Sequence, residues 1–315
     1  MPDDLDARLS AATARLIGRA PLPQERIGIA VSGGADSMAL LAAAHHSWPG
    51  QIEAATVDHG LRPKARQEAE MVAAWCATAD IPHAILTPEA PIAGNLQASA
   101  RIARYRLLDA WREARGLAWL MTAHQADDQI ETVILRLNRG SGVGGLASVR
   151  GRREHLLRPL LGERRATLRA YCVANDLPFV DDPSNIDPRF DRARLRALLA
   201  EGDLIAPAGL ARSVEALEQA DAALAWMADS LADDYLDLGD RAAVLNRTDL
   251  PSEILRRLLL KMIEYLNPEA EKPRGPSLDQ ALVQLLDAKT VTLADCVITG
   301  GGTWASRRAP PRKSR

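Results

Sequence analysis

The sequence predicts an α/β protein: a parallel sheet with helices on both faces, followed by a smaller, mostly helical C-terminal domain. Two observations carry this. From residue 26 to about 138, short apolar runs alternate with amphipathic stretches of helical period, which is the pattern of repeated βαβ units. After "EGDLIAPAG" (201–209) only long helical periods recur before a short glycine-punctuated end. A chain of 315 residues also exceeds what one core usually organises. The expected division is 1–205 and 206–315.

The first strand is read over "RIGIAV" (26–31), with a helix from about Ser37. "IEAATVD" (52–58) forms the second strand, followed by a helix over 64–79 and a short strand near 83–87. A helix over 95–115 leads to strand "LAWLMTAH" (117–124) and a helix over 126–138. β-branched and aromatic residues mark the strands, and Gly or polar clusters bound them. "RGSGVGGL" (139–146) is expected as a mobile loop over one sheet edge, and 163–176 as a helix. "DDPSNIDPRFDRARLR" (181–196) reads as a polar, Pro-punctuated connection. Helices over 210–236, 251–266 and 277–287 follow, then two short strands around a glycine turn and a disordered basic tail, "RRAPPRKSR".

Composition narrows the function classes. Cys76, Cys172 and Cys296 are isolated, which argues against a disulfide framework, a zinc ribbon or a paired-thiol redox centre. The N-terminus "MPDDLDARLS" is acidic and lacks the apolar core of a signal peptide, and no uncharged apolar stretch approaches a membrane span. A cytoplasmic protein without a membrane partner is expected. Residues 101–200 hold eighteen arginines, no lysine and twelve acids, in a chain whose net charge is -2. A basic middle permits a polyanionic partner.

Four segments carry chemistry, one of them "TVDHGLRPKARQEA" (56–69), which begins at the end of the second strand, where open sheets bind ligands, unless it is simply a polar loop. "GIAVSGGADSMALLAAA" (28–44) is a strand, a glycine turn and a helix, an arrangement that offers backbone N–H groups and a helix N-terminus to an anion. It has no lysine, and Asp36 would repel a phosphate unless a cation lay between them; Mg²⁺ bridging phosphate and carboxylate answers that need. The alternative is a tight turn with Ser37 as helix N-cap. In "NLQASARIARYRLL" (95–108), Arg101 and Arg104 fall on one helix face beside Tyr105. In "TAHQADDQIETVILRLNRGSGVGGL" (122–146), His124, Asp127, Asp128 and Glu131 share an arc of about 100°. Ile130, Val133, Ile134 and Leu137 take the opposite side. Stacked acids without intervening Lys or Arg need a cation. A solvated acidic first turn, a transition-metal cluster, and a pocket for an amine or Mg²⁺ are the three readings.

The loop Ser32, Gly33, Gly34, Ala35, Asp36, Ser37 resembles the pyrophosphate loop of the N-type ATP pyrophosphatases, whose sheet is Rossmann-like. "VDHGLR", "NLQASARIARYRLL", the 122–146 segment, "RPLL" (158–161) and "VDDPSNIDPRFDRARLR" (180–196) extend the likeness, in order, to the tRNA(Ile)-lysidine synthetases. Where that family commonly has Arg-Asn, this chain has Arg192-Ala193, so no contact is assigned to position 193. The resemblance implies ATP as substrate, Mg²⁺ held by Asp36, free L-lysine, and tRNA(Ile) with a CAU anticodon. It implies attack of the wobble cytidine O2 on the α phosphate, loss of pyrophosphate, and displacement of AMP by the lysine amine. Ser32 to Ser37 would cradle pyrophosphate, with backbone near Ala30 and Val57 at the adenine. Asp36, Arg104, His124, Asp128 and Glu131 would be catalytic, with Arg101, Asp127, Arg192 and Arg196 also on lysine or RNA; residues 1–205 would form the catalytic domain and 206–315 would bind tRNA elsewhere. Oligomeric state is left open between monomer and homodimer. Two other functions compete: a tRNA cytidine thiolase on the same core, disfavoured by the unpaired cysteines, and a nucleotide-binding regulatory module without transfer chemistry.

Overall fold

The structure is a computed structural model that describes residues 5–60, 63–88, 96–147, 149–181, 191–200, 205–273 and 275–310. The chain forms two compact units. Met1–Gly140 with Gly145–Glu215 make the first, and Ser141–Gly144 with Ala216–Arg315 the second.

The chain begins with α1 (Leu5–Ile17), β1 (Ile27–Ala30), α2 (Ala35–Ser47), β2 (Ile52–Val57), α3 (Pro63–Thr78) and β3 (His83–Leu86). It continues with α4 (Leu96–Arg115), β4 (Trp119–Thr122), α5 (Ala126–Leu137), α6 (Val143–Leu146), β5 (Arg152–Arg153), β6 (Leu156–Leu157), α7 (Arg165–Ala174) and α8 (Asp191–Ala200). The sheet order is β3-β2-β1-β4-β6-β5, parallel except for the edge strand β5. After β1 the chain steps outward to β2 and β3, then returns to place β4 on the other side of β1. That reversal leaves a crevice at the carboxyl ends of β1 and β4, where open α/β sheets take their ligands.

Burial explains the layers. Met38 to Ala44 of α2 are each at most 1% exposed, so this helix is apolar all round and must be covered on every side. Ile27 and Ile29 of the sheet, Leu5 and Leu9 of α1, and Leu168 and Cys172 of α7 share its core. On the opposite face Leu108 and Trp111 of α4 pack with Leu117, Leu120 and Leu156. A Cβ on Gly28 would lie 2.7 Å from the Trp111 ring, so this glycine lets the indole rest on β1.

The remaining elements are α9 (Pro207–Tyr235), β7 (Leu236–Gly239), β8 (Ala242–Leu245), α10 (Ser252–Leu266), α11 (Gly275–Leu286), β9 (Thr290–Leu293), β10 (Cys296–Thr299) and β11 (Trp304–Arg308). In the second unit an antiparallel sheet, β7-β8-β11-β10-β9, packs on α10 and α11 through Leu255, Leu258, Met262, Leu282, Leu285 and Trp304. The C-terminal part is therefore helical with a five-stranded sheet, more β than the sequence pattern suggested. Arg307 and Arg308 belong to β11 rather than to a tail. Two further differences concern polar text. Residues 139–146 contain the short helix α6 instead of a loop throughout, and Asp191–Ala200 is helical rather than a connection. The 182–190 part of that connection lies outside the described residues. Among the described residues no helix is long and apolar enough to cross a membrane.

Candidate active site

The loop after β1 is built around two serines. Ser32 N donates to Ser37 Oγ at 3.1 Å, the two hydroxyls lie 3.2 Å apart, and Ser37 Oγ donates to Gly34 O at 2.9 Å. Gly34, not Ser37, is the N-cap of α2, so the Ser37 hydroxyl braces the loop from inside the first turn. Gly33 has φ +84°, a left-handed conformation that glycine adopts without a Cβ penalty. Its carbonyl accepts from Val180 N at 3.0 Å. First-turn N–H groups of a helix have no intrahelical acceptor, so the start of α2 is a cradle for an anion. Ala30 and Val57 end β1 and β2 beside it.

Asp36 stands in that first turn. Burial pushes its carboxyl up to about 6, a rise that the Arg165 charge limits and the Asp128 charge supports. Its Oδ1 is buried without a hydrogen-bond partner among the described residues. Its Oδ2 is 3.9 Å from Arg165 Nε.

The loop after β4 places the acidic cluster. Gln125, fully buried, caps α5 by accepting from Asp127 N and Asp128 N, and Asp128 Oδ2 accepts from Gln125 N in return. This capping box fixes which way the acids project. Asp127 turns to the start of α7: its Oδ2 accepts from Arg165 N at 2.8 Å and its Oδ1 pairs with Arg164 Nε at 3.0 Å. Asp128 Oδ1 lies 3.2 Å from Arg165 Nη2 and 3.6 Å from Arg196 Nη2. Burial raises the Asp128 carboxyl, and the neighbouring Glu131 charge adds to the rise. Glu131 is 2% exposed and takes Arg196 through two contacts, Nε–Oε1 at 2.6 Å and Nη2–Oε2 at 3.0 Å. Arg165 Nη2 also reaches Glu131 Oε1 at 3.4 Å. One guanidinium thus touches the carboxylates of the glycine loop and of α5.

His124 lies just ahead of the helix that carries the acids, with Nδ1 3.0 Å from Thr122 Oγ1. Burial first, then the charges of Arg158, Arg101, Arg104 and Arg192, push its imidazole down to about 3. Because His124 lies before the helix rather than on it, helical spacing does not by itself place it beside Asp127, Asp128 and Glu131. Arg101 and Arg104 both lie over the Tyr105 ring, at 5.1 and 5.5 Å. Burial raises the Tyr105 phenol, but the charges of Arg101, Arg104 and Arg158 outweigh it and leave the phenol below its ordinary value. Arg192, exposed, reaches Thr132 Oγ1 at 3.4 Å. On the apolar side of α5, Ile130 and Val133 are buried but Leu137, in the last turn, is 56% exposed.

Sequence reasoning missed Gln125, Arg158, Arg164 and Arg165. For Arg165 a signal existed: three acids on one helix face demand a cation, and the basic pair of "ERRATL" opens the helix expected over 163–176. Among the described residues no group of three or more His, Cys, Asp or Glu side chains forms a protein-only metal cage.

Residues 5–202, which hold the parallel sheet and the braced glycine loop at its switch point, match the PP-loop domain family, an ATP-utilising class. The chain is 41% identical over 298 residues to the tRNA(Ile)-lysidine synthase of Zymomonas mobilis, covering 91% of this chain and 90% of that one. It is 40% identical over 305 residues to the enzyme of that name from Novosphingobium aromaticivorans, covering 93% and 91%. The chain belongs to the tRNA(Ile)-lysidine synthase family of ligases. Among solved structures, the U34-tRNA thiolase NcsA of Methanococcus maripaludis aligns with a TM-score of 0.57 at 14% identity, covering 69% of this chain and 80% of that one. That likeness concerns the fold.

Proposed function

We propose that this protein ligates lysine to C2 of the wobble cytidine of the CAU anticodon of tRNA(Ile), using ATP and passing through an adenylated cytidine. The observation that carries the reading is the position of Arg165, within 3.9 Å of Asp36, 3.2 Å of Asp128 and 3.4 Å of Glu131. ATP cleavage and the acceptance of an amine need adjacent sites, and one guanidinium spans the carboxylates proposed for both.

Ser32 to Ser37 cradle the β and γ phosphates while the cytidine O2 attacks the α phosphate. Asp36 fits a magnesium ion carried in with ATP, because its buried Oδ1 has no partner among the described residues and magnesium commonly takes one carboxylate plus substrate phosphates. Such an ion supplies charge neutralisation at the departing pyrophosphate. Arg104 holds either the α phosphate or the lysine carboxylate, and Arg101 and Arg192 add positive charge on the RNA approach.

Free lysine is almost wholly protonated at pH 7, so the amine must lose a proton before it attacks C2. Asp128 suits that task better than His124. Its carboxyl is raised by burial, whereas an imidazole held near 3 is a weak base. Glu131 is occupied by Arg196 and positions it. Arg165 keeps the place of the ammonium and yields Asp128 when lysine enters.

The thiolase reading gains nothing from the cysteines. All three are buried, and burial pushes Cys76 up to about 12 and Cys172 up to about 11. The test is a reaction of purified protein with ATP, labelled lysine and a CAU-anticodon transcript. Lysine should enter the RNA with RNA-dependent pyrophosphate release. Sulfur entry in a parallel reaction, or pyrophosphate release indifferent to RNA, would sink the reading.

A further inference from the structure

Gln125 is an unusual residue to cap α5. N-caps favour Asn, Asp, Ser and Thr, whose short side chains reach the N–H groups of the first turn. A glutamine, one methylene longer than asparagine, gives up more rotamer freedom for the same task. Here it is fully buried, with Oε1 accepting from Asp127 N and Asp128 N. The cap makes no use of its other end. Nε2 is buried and forms no hydrogen bond among the described residues, and a buried donor left unused is costly enough to call for an acceptor. Asp36 Oδ1 is the matching orphan, a buried acceptor with no partner among the described residues. Topology sends both the same way, because Gln125 follows the end of β4 and Asp36 follows the end of β1, its parallel neighbour. Burial raises the Asp36 carboxyl, while the Arg165 charge and then the Gln125 amide draw it part of the way back. The amide therefore approaches that carboxyl without closing a fully formed hydrogen bond.

We propose that Gln125 is a positioning residue for ATP cleavage: its oxygen holds the first turn of α5 while its Nε2 donates to the Asp36 carboxylate and fixes it for magnesium. Outer partners that orient a metal-ligating carboxylate typically account for about 10–100-fold in metal affinity. The same cap orients Asp128, so one buried amide aligns the carboxylates assigned to both half-reactions. A residue that only capped α5 would serve as well as asparagine or serine, and the extra methylene is what carries the donor to Asp36. The inference rests on reading Asp36 as the carboxylate that meets magnesium.

Gln125→Asn separates the two roles, because asparagine is a strong cap and its donor is withdrawn by one methylene. Calorimetry with the intact chain and an ATP analogue that cannot be cleaved at the α–β bond, in EDTA and in excess magnesium, measures how much magnesium tightens the analogue. In Gln125→Asn this gain should fall by about tenfold or more, with Tm within about 4 °C of the wild type. In the pyrophosphate assay with the CAU-anticodon transcript, the magnesium concentration for half-maximal rate should rise by about tenfold or more, with most of kcat recovered at saturating magnesium. An unchanged gain and an unchanged half-maximal concentration overturn the proposal and leave Gln125 a cap. Should Gln125→Asn fold poorly, Gln125→Ser, a strong cap that lacks the donor, decides by the same two outcomes. Asp36→Ala separates the failures. If it keeps the full magnesium gain, the metal reading fails and the role of Gln125 falls with it. If it loses the gain while Gln125→Asn does not, the role of Gln125 fails alone.

Discussion

Asp36 shows how a residue's surroundings turn into measurable behaviour. Its ordinary value is 3.8, and burial holds it near 6 in the folded protein. The folded state therefore keeps a proton that the unfolded chain gives up, so folding loses stability as pH rises from about 4 to about 6. The cost is absent below that window and complete above it. Asp36→Asn should raise the unfolding free energy at pH 7 by up to about 2 kcal/mol, allowing for its partial exposure, and leave it unchanged near pH 4. Equal effects in chemical denaturation at both pH values would contradict the burial argument. Function should divide differently: Asp36→Ala loses RNA-dependent pyrophosphate release by at least about a hundredfold, while Asp128→Asn retains most of that release and loses lysine transfer. Loss of both steps together in Asp128→Asn would remove the proposed division of labour. The acids themselves were legible in the sequence, because a run of carboxylates on one helix face is unusual without a cation. Which arginines pair with them was not, although Arg196 was among the expected site residues. Arg165 and Arg196 lie 34 and 65 positions from Glu131, and only the fold brings them back.

Elements were legible where burial is strong and periodic. The apolar runs of β1, β2 and β4, and the unbroken apolar helix α2, follow from alternation and length. The elements that escaped are short, polar or half-exposed. β7 is "LDLG" with three exposed positions, and α8 is an arginine-rich turn of chain whose helical period is masked by charge. The antiparallel sheet of the second unit is built of short hairpins, β7-β8 and β9-β10-β11, and only the pairing of β8 with β11 that joins them is non-local, which no local pattern reports. Close packing also makes one element testable at a single atom. In Gly28→Ala the added Cβ would meet Trp111 at 2.7 Å and Leu117 at 2.8 Å. The substitution should cost about 1–3 kcal/mol in urea unfolding. A neutral result would mean that α4 can lift from the sheet at little cost.

At the scale of the whole molecule, the strand order decides where chemistry can happen. Because β1 and β4 are neighbours that run the same way, the glycine loop and the head of α5 must emerge side by side. The sequence places these motifs about 90 residues apart, and the topology joins them. Each unit keeps its own core, one built around α2 and the parallel sheet, the other around α10 and the antiparallel sheet. In the proposed reaction the phosphate loop and the acidic helix work as one ligation site, so ATP cleavage and lysine transfer are coupled turnover by turnover. Product counting decides whether they are, by following pyrophosphate released and lysine incorporated in a single reaction with ATP and the CAU-anticodon transcript. Equimolar amounts of the two, both dependent on RNA, are predicted. Pyrophosphate that accumulates on RNA while no lysine is incorporated, at saturating lysine, would contradict the coupling.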